Sequence, residues 1–136
     1  MKTFKTAFLS ASFVLCSLLL SSWMIFDEPS VSNSPDNAII LLKFKAQPEK
    51  SDLAVSELKK LFEHVKNEPN YVSITLHVDP NDPTNILLYE EWEDLAYYNG
   101  EHMNTDHLKA FMANSANFLA GPPDISVWKV KGVFKK

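Results

Sequence analysis

Apolar residues alternate along Ala38–Ala46, "AIILLKFKA", with Ile40, Leu42 and Phe44 on one side and Ile39 and Leu41 on the other. A strand that is apolar on both sides needs cover on both. After Pro48 the period lengthens: Ala54, Leu58, Leu61 and Val65 recur at helical spacing, with Phe62 beside them and lysines and glutamates opposite. Ser51 is placed to cap this helix, which should end near Asn67 because Pro69 disfavours helical backbone before it. Tyr71–Val78 returns to a period of two, with Val72, Ile74, Leu76 and Val78 against Tyr71, Ser73, Thr75 and His77. The turn signal "DPNDPTN" follows, then a strand over Ile86–Trp92, which makes a hairpin. That strand divides into Leu87, Tyr89 and Glu91 against Ile86, Leu88, Glu90 and Trp92. Helical spacing comes back at Leu108, Phe111, Met112, Ser115 and Leu119, closed by Gly121 and two prolines, and Asp124–Val130 reads as the last strand.

The order β-α-β-β-α-β predicts an α+β fold: a ferredoxin-like sandwich of a four-stranded antiparallel sheet with both helices on one face. The other face is expected to carry Trp92, His77 and Tyr71, more apolar surface than a solvated face tolerates. A homodimer through that open face is therefore expected, with a cavity in each half. On this reading an isolated sheet would expose Trp92, Ile86 and Leu88 together.

The amino terminus follows a different pattern. Lys2 and Lys5 precede an uncharged, mostly apolar run, Ala7–Phe26, so residues 1–26 read as a signal peptide or a membrane anchor. As a helix the run would cover roughly 30 Å, about the core of a bilayer, so a retained anchor and a cleaved signal are both physically possible. Leu20 and Ser22 form the best available cleavage pattern, a poor one. Export to the periplasm or outside, or anchoring by residues 7–26, is the expectation, with no other contact with a membrane. Cys16 is preceded by Phe13, Val14 and Leu15 where lipid attachment needs small residues, which disfavours a lipoprotein. Residues 27–37, "DEPSVSNSPDN", read as a linker, residues 38–131 as one domain and residues 132–136 as a tail.

Charge and cysteine usage narrow the chemistry. Cys16, in the targeting segment, is the only cysteine of the 136 residues, so the domain has no disulfide, thiol nucleophile or thiolate ligand. From Asp27 onward 17 acidic residues stand against 11 lysines, a formal charge of −6, and the chain has no arginine. Phosphate clamps and base-reading forks rely on arginine, so nucleic acid is not an expected partner. His102 and His107 are five apart, about 140° around a helix, whereas helical metal pairs need spacings of three or four. No metal site is expected from them. Thr105 reads as a helix N-cap, with His107 at the helix start, His102 in the bend before it, and His64 on a solvated flank.

Three stretches carry a resemblance: "EPNYVSITLHVDP", "YEEWED" (Tyr89–Asp94) and "HMNTDHLKAF" (His102–Phe111), the last of the form H-x-x-T-x-H-x-x-x-F. In this order and spacing the region from Ile39 to Val130 resembles the antibiotic biosynthesis monooxygenase domain, a dimeric α+β barrel. The resemblance implies a cavity for a small aromatic or quinol-like molecule. It also implies cofactor-independent oxidation by dioxygen, in which a deprotonated phenol or quinol reduces oxygen directly. The protein would then supply a dry pocket, a proton acceptor and donors to the developing oxyanion. A binding module without catalysis, on the same fold, is the alternative.

The candidate catalytic residues are His77, Trp92, Tyr98 and Glu90, of which Trp92 and Tyr98 follow the resemblance and His77 and Glu90 their own chemistry and expected face. Trp92 matches a pocket tryptophan whose indole N–H would bond a substrate oxygen, its alternative role being to fill the dimer core. His77 is a candidate base or hydrogen-bond donor, or else a residue that bonds the following turn. Tyr98, six residues after Trp92, matches a pocket tyrosine, with Tyr97 its substitute if the register slips. Glu90, if desolvated, could act as base or could be structural. Tyr71, Thr75, Leu88 and His102 are assigned to substrate binding, His102 at the rim. Leu88 stands where the polyketide oxygenases carry an asparagine, which favours the binding module. The haem-degrading branch needs a tryptophan in the last helical region; none occurs between Glu93 and Val127, and Glu101 is the residue nine after Trp92. No cofactor is expected.

Overall fold

β1 (Ala38–Lys45), apolar on both faces, lies inside a four-stranded antiparallel sheet of order β2-β3-β1-β4. Its neighbours are β3 (Asn85–Trp92) and β4 (Asp124–Lys129), and β2 (Tyr71–Val78) forms the far edge. The structure, a computed structural model, describes residues 36–134 and Lys136. The expected targeting segment and residues 27–35 of the linker lie outside the described residues. The β2–β3 turn is held by its own aspartates: Asp79 accepts from the Asn81 amide at 2.8 Å, and Asp82 from the Thr84 hydroxyl. Lys45 of β1 reaches across to Asp82 at 2.7 Å.

α1 (Ser51–Val65) buries Ala54, Leu58, Leu61 and Val65, the stripe its spacing predicts. Ser51 is the first helical residue, not the cap; Lys50 holds that position without a side-chain hydrogen bond. A short helix that periodicity did not predict, α2 (Leu95–Asn99), follows β3, and Asp94 caps it by accepting from the Ala96 amide at 2.7 Å. A 3₁₀ turn (His102–Asn104) and α3 (Asp106–Ser115) come next. Thr105 is the N-cap residue of α3, but its hydroxyl donates to the His102 carbonyl at 2.9 Å. α3 stops at Ser115, short of Gly121. Gln47 draws the chain away there, its side-chain amide donating to the carbonyls of Ala116 at 2.8 Å and Leu119 at 3.0 Å. The result is the ferredoxin-like α+β sandwich expected.

The faces of the sheet are the main correction. Register sets Ile40 opposite Glu90, Leu42 opposite Leu88 and Phe44 opposite Ile86, so these side chains share one face. That face carries the helices. Trp92, Ile86 and Leu88 are buried in one cluster with Leu58 and Leu61 of α1, not turned to a second subunit. Both faces of β1 and β3 carry apolar residues, so alternation alone could not say which one the helices cover. Thr75 and His77 pair with Tyr89 and Leu87, both are exposed, and both therefore lie on the opposite face from Trp92. Tyr71 does reach Trp92, because the register of β2 slips by one residue between Tyr71 and Ser73. Such a bulge turns the side chains before it to the other face.

Candidate functional site

A cavity of about 620 Å³ lies between the helix-bearing face of the sheet and the helices. Most of its wall is apolar: Leu42 and Phe44 from β1, Leu58 and Leu61 from α1, Leu108 and Phe111 from α3. Its polar side chains include Glu90 from β3, Tyr98 from α2 and His102 from the 3₁₀ turn. All three are buried. A predominantly apolar cavity with a few convergent polar groups is the usual form of a small-molecule site.

Glu90 is the cavity carboxyl, and this setting alters its ionisation. Burial pushes its carboxyl up to about 7; the hydrogen bond from Trp92 opposes the rise and the nearby Glu68 charge adds to it. Trp92 Nε1 donates to Glu90 Oε2 at 3.1 Å. Trp92 is fully buried, and around it stand His102 at 4.7 Å between ring centroids, Tyr98 at 5.5 Å and, edge-on, Tyr71 at 5.8 Å. Tyr98 stacks on His102 at 5.1 Å, and burial together with the Glu90 charge raises its phenol above the ordinary value.

His102 is fixed from behind by Glu68, which sits in the turn between α1 and β2. Its Nδ1 lies 2.9 Å from Glu68 Oε2, the Tyr97 hydroxyl donates to the same oxygen at 3.1 Å, and His107 Nε2 bonds to Oε1. The two histidines of "HMNTDH" therefore meet at one carboxylate. The 140° separation holds only within one helix, whereas here a 3₁₀ turn and the extended residue Thr105 separate the rings. His107 also stacks on His64, at 5.7 Å. Among the described residues no group of three histidine, cysteine or carboxylate side chains is arranged to hold a metal ion.

The sequence profile of the family described as Antibiotic biosynthesis monooxygenase matches residues 38–114, more than half of the chain, which takes in Glu90, Tyr98 and His102 of the cavity. The chain belongs to the antibiotic biosynthesis monooxygenase family. The uncharacterized protein sll1783 of Synechocystis is 23% identical over 121 residues, 86% of this chain and 82% of its own. A Bacillus subtilis protein named "Putative monooxygenase YcnE" is 27% identical over 81 residues, 60% of this chain and 84% of its own. The crystal structure of a conserved protein from Methanosarcina mazei superposes with a TM-score of 0.66 at 21% identity, over 73% of this chain and 97% of that one. At that identity the likeness is one of fold.

Within this monooxygenase-family fold the expected site residues separate into three groups. Glu90, Tyr98, Leu88 and His102 line the cavity together. Trp92 and Tyr71 form a layer behind it, where the Trp92 N–H is engaged by Glu90 and so is not directed at a ligand. Thr75 and His77 lie on the other face of the sheet. His107 is at the helix start, as expected, but bonded to Glu68 as well as packed. Glu68 itself was missed. The signal available was slight: it is the first residue of the quoted stretch "EPNYVSITLHVDP", and two nearby histidines needed an acceptor.

Proposed function

We infer that this protein oxidises a small aromatic or quinol-like molecule with dioxygen, without a cofactor, in the cavity between sheet and helices. The observation that carries this reading is Glu90: a buried carboxyl that titrates near 7 among apolar walls, beside a cavity large enough for a few fused rings. A group that changes protonation near neutrality is suited to take a hydroxyl proton and return it. With its O–H bond broken, the electron pair delocalises from oxygen into the ring. The activated ring carbon then gives an electron to dioxygen and combines with the superoxide formed. Loss of water from the resulting hydroperoxide leaves a carbonyl, so that overall R₂CH₂ + O₂ → R₂C=O + H₂O. The substrate supplies all the electrons. Tyr98 is the hydroxyl donor nearest in kind to what the developing oxyanion needs.

A binding module is the second reading, favoured by Leu88, which gives the strand an apolar group one turn of the pleat from Glu90. Oxygen uptake measured with a panel of quinols and hydroxylated anthrones, without added metal or cofactor, separates the two. Uptake that Glu90→Gln abolishes supports the oxygenase. Tight binding of the same compounds with no uptake supports the module.

Two further parts of this reading concern the setting. A second copy is proposed on the sheet face opposite the helices, where Trp128 is 57% exposed and Leu41, Leu87 and Tyr89 are partly buried. Export, or anchoring by residues 7–26, is proposed from the apolar run.

A further inference from the structure

Glu68 leaves the α1–β2 turn with its side chain only 6% exposed, and three donors from elsewhere in the chain converge on it: Tyr97 of α2, His102 of the 3₁₀ turn and His107 of α3. An ionised carboxylate only accepts hydrogen bonds. Each nitrogen facing it must therefore carry its proton, which assigns His102 as protonated at Nδ1 and His107 at Nε2. For a neutral His102 ring, Nε2 then has a bare lone pair, and it is the one nitrogen left for the cavity that the ring lines. The ring also packs against Trp92 and stacks on Tyr98, contacts that restrict exchange of its two edges.

We propose that Glu68 is a positioning and specificity-determining residue: by holding His102 in the Nδ1–H tautomer it turns a hydrogen-bond acceptor to the cavity, so that hydroxylated aromatics are bound in preference to the same rings without a hydroxyl donor. The proposal rests on the reading of the cavity as a site for small aromatic molecules. It deepens that reading by specifying the polarity of the polar end. The ionised form of Glu90 is a second acceptor there, and Tyr98 supplies a hydroxyl. A phenol or quinol can donate to such an end. The corresponding ether or quinone can only accept, and would leave the bare Nε2 of His102 without a donor, a mismatch that sites of this kind penalise strongly. For an oxygenase the consequence is directional: the reduced hydroxyl form is retained and the carbonyl product is released.

The test has two readouts on the full chain. Nitrogen-15 NMR of the histidine rings at neutral pH reads the tautomers directly, with no ligand and no turnover. Affinities for 1-naphthol and 1-methoxynaphthalene, measured anaerobically by titration, read the selectivity. In the wild type His102 is expected as Nδ1–H and His107 as Nε2–H, with naphthol bound at least about tenfold more tightly than its methyl ether. Glu68→Ala should release His102 to a mixture of tautomers and reduce the preference several-fold, with affinity for the ether changed little. Wild-type His102 found as the Nε2–H tautomer overturns the proposal, and so does a preference that survives in a folded Glu68→Ala whose His102 tautomer has changed. If that variant does not fold, the wild-type tautomer and the wild-type preference still decide. Failure of both compounds to bind a chain whose His102 is Nδ1–H sinks the aromatic-ligand reading, and the selectivity with it, while leaving the tautomer assignment in place.

Discussion

Trp92 Nε1 donates to Glu90 Oε2 at 3.1 Å, and the two side chains, two residues apart on one strand, point to the same face. This pairing changes the part the tryptophan plays. Its N–H orients the one strongly shifted cavity carboxyl and lies behind it, so an effect on a ligand passes through Glu90.

Trp92→Phe should therefore raise the Glu90 midpoint above about 7, because the lost hydrogen bond is one that lowers it. Packing should weaken by only about 1–2 kcal/mol, since most of the apolar volume stays. Carbon-13 NMR of the glutamate carboxyls across a pH series reads the midpoint. An unchanged or lower value would mean that the indole does not bond to the carboxylate.

Glu90→Gln should change how stability depends on pH. The folded value is raised from 4.5 to about 7, so the folded chain holds this proton more tightly than the unfolded one. The stability contributed by protonated Glu90 is fully present below about pH 4.5 and is lost as pH rises through about 7. Glutamine does not titrate and can still accept from Trp92. The variant should thus gain on the parent across that window, by on the order of 3 kcal/mol above it. Urea unfolding at several pH values measures the difference; curves that stay parallel would contradict the assignment.

His77→Gln should leave ligand affinity and any oxygen uptake as they are. His77 is exposed on the sheet face away from the cavity, opposite Leu87. His102→Gln, which alters a cavity wall, should weaken both. Equal losses in the two variants would move the site to the other face of the sheet.

Asp94→Ala should cost about 1 kcal/mol of stability through the lost cap of α2. Because α2 carries Tyr97 and Tyr98, the same change should loosen the cavity wall and weaken ligand binding. Thermal unfolding and ligand titration on one preparation show whether the two effects travel together. The expected drop in stability with unaltered binding would separate the cap from the site.

The second copy proposed on the helix-free face can be tested at Trp128. Sedimentation of the purified protein should show a dimer, and Trp128→Ala should shift it toward monomer, since a half-exposed tryptophan in an interface is the kind of residue that carries binding energy. A parent that sediments as a monomer at micromolar concentration removes the proposal.

Periodicity along the chain determined the four strands, the long helix and the place of α3 among them, because each of those is a local pattern whose period follows from backbone geometry; the short α2 left no such pattern. Family membership was equally legible, in three short stretches whose order and spacing survive at low identity. Glu90, Tyr98, Leu88 and His102 were named as cavity residues, but for a cavity on the helix-free face; the one they line lies between the sheet and the helices, with His102 buried in its wall and not at a rim. What periodicity could not determine was which face of the sheet the helices cover, since both faces of β1 and β3 are apolar and alternation divides residues into two sets without saying which set is inside. Trp92 was thus expected at a subunit interface and lies in the core, while His77 lies on the far side of the sheet from it. The bulge at Tyr71 and the convergence on Glu68 were beyond reach for a related reason. A one-residue slip leaves no mark in composition, and a carboxylate 34 residues before His102 and 39 before His107 becomes their partner only when the turn after α1 packs against the start of α3. Tertiary packing alone decided those contacts, and with them the protonation and direction of the groups that face the cavity.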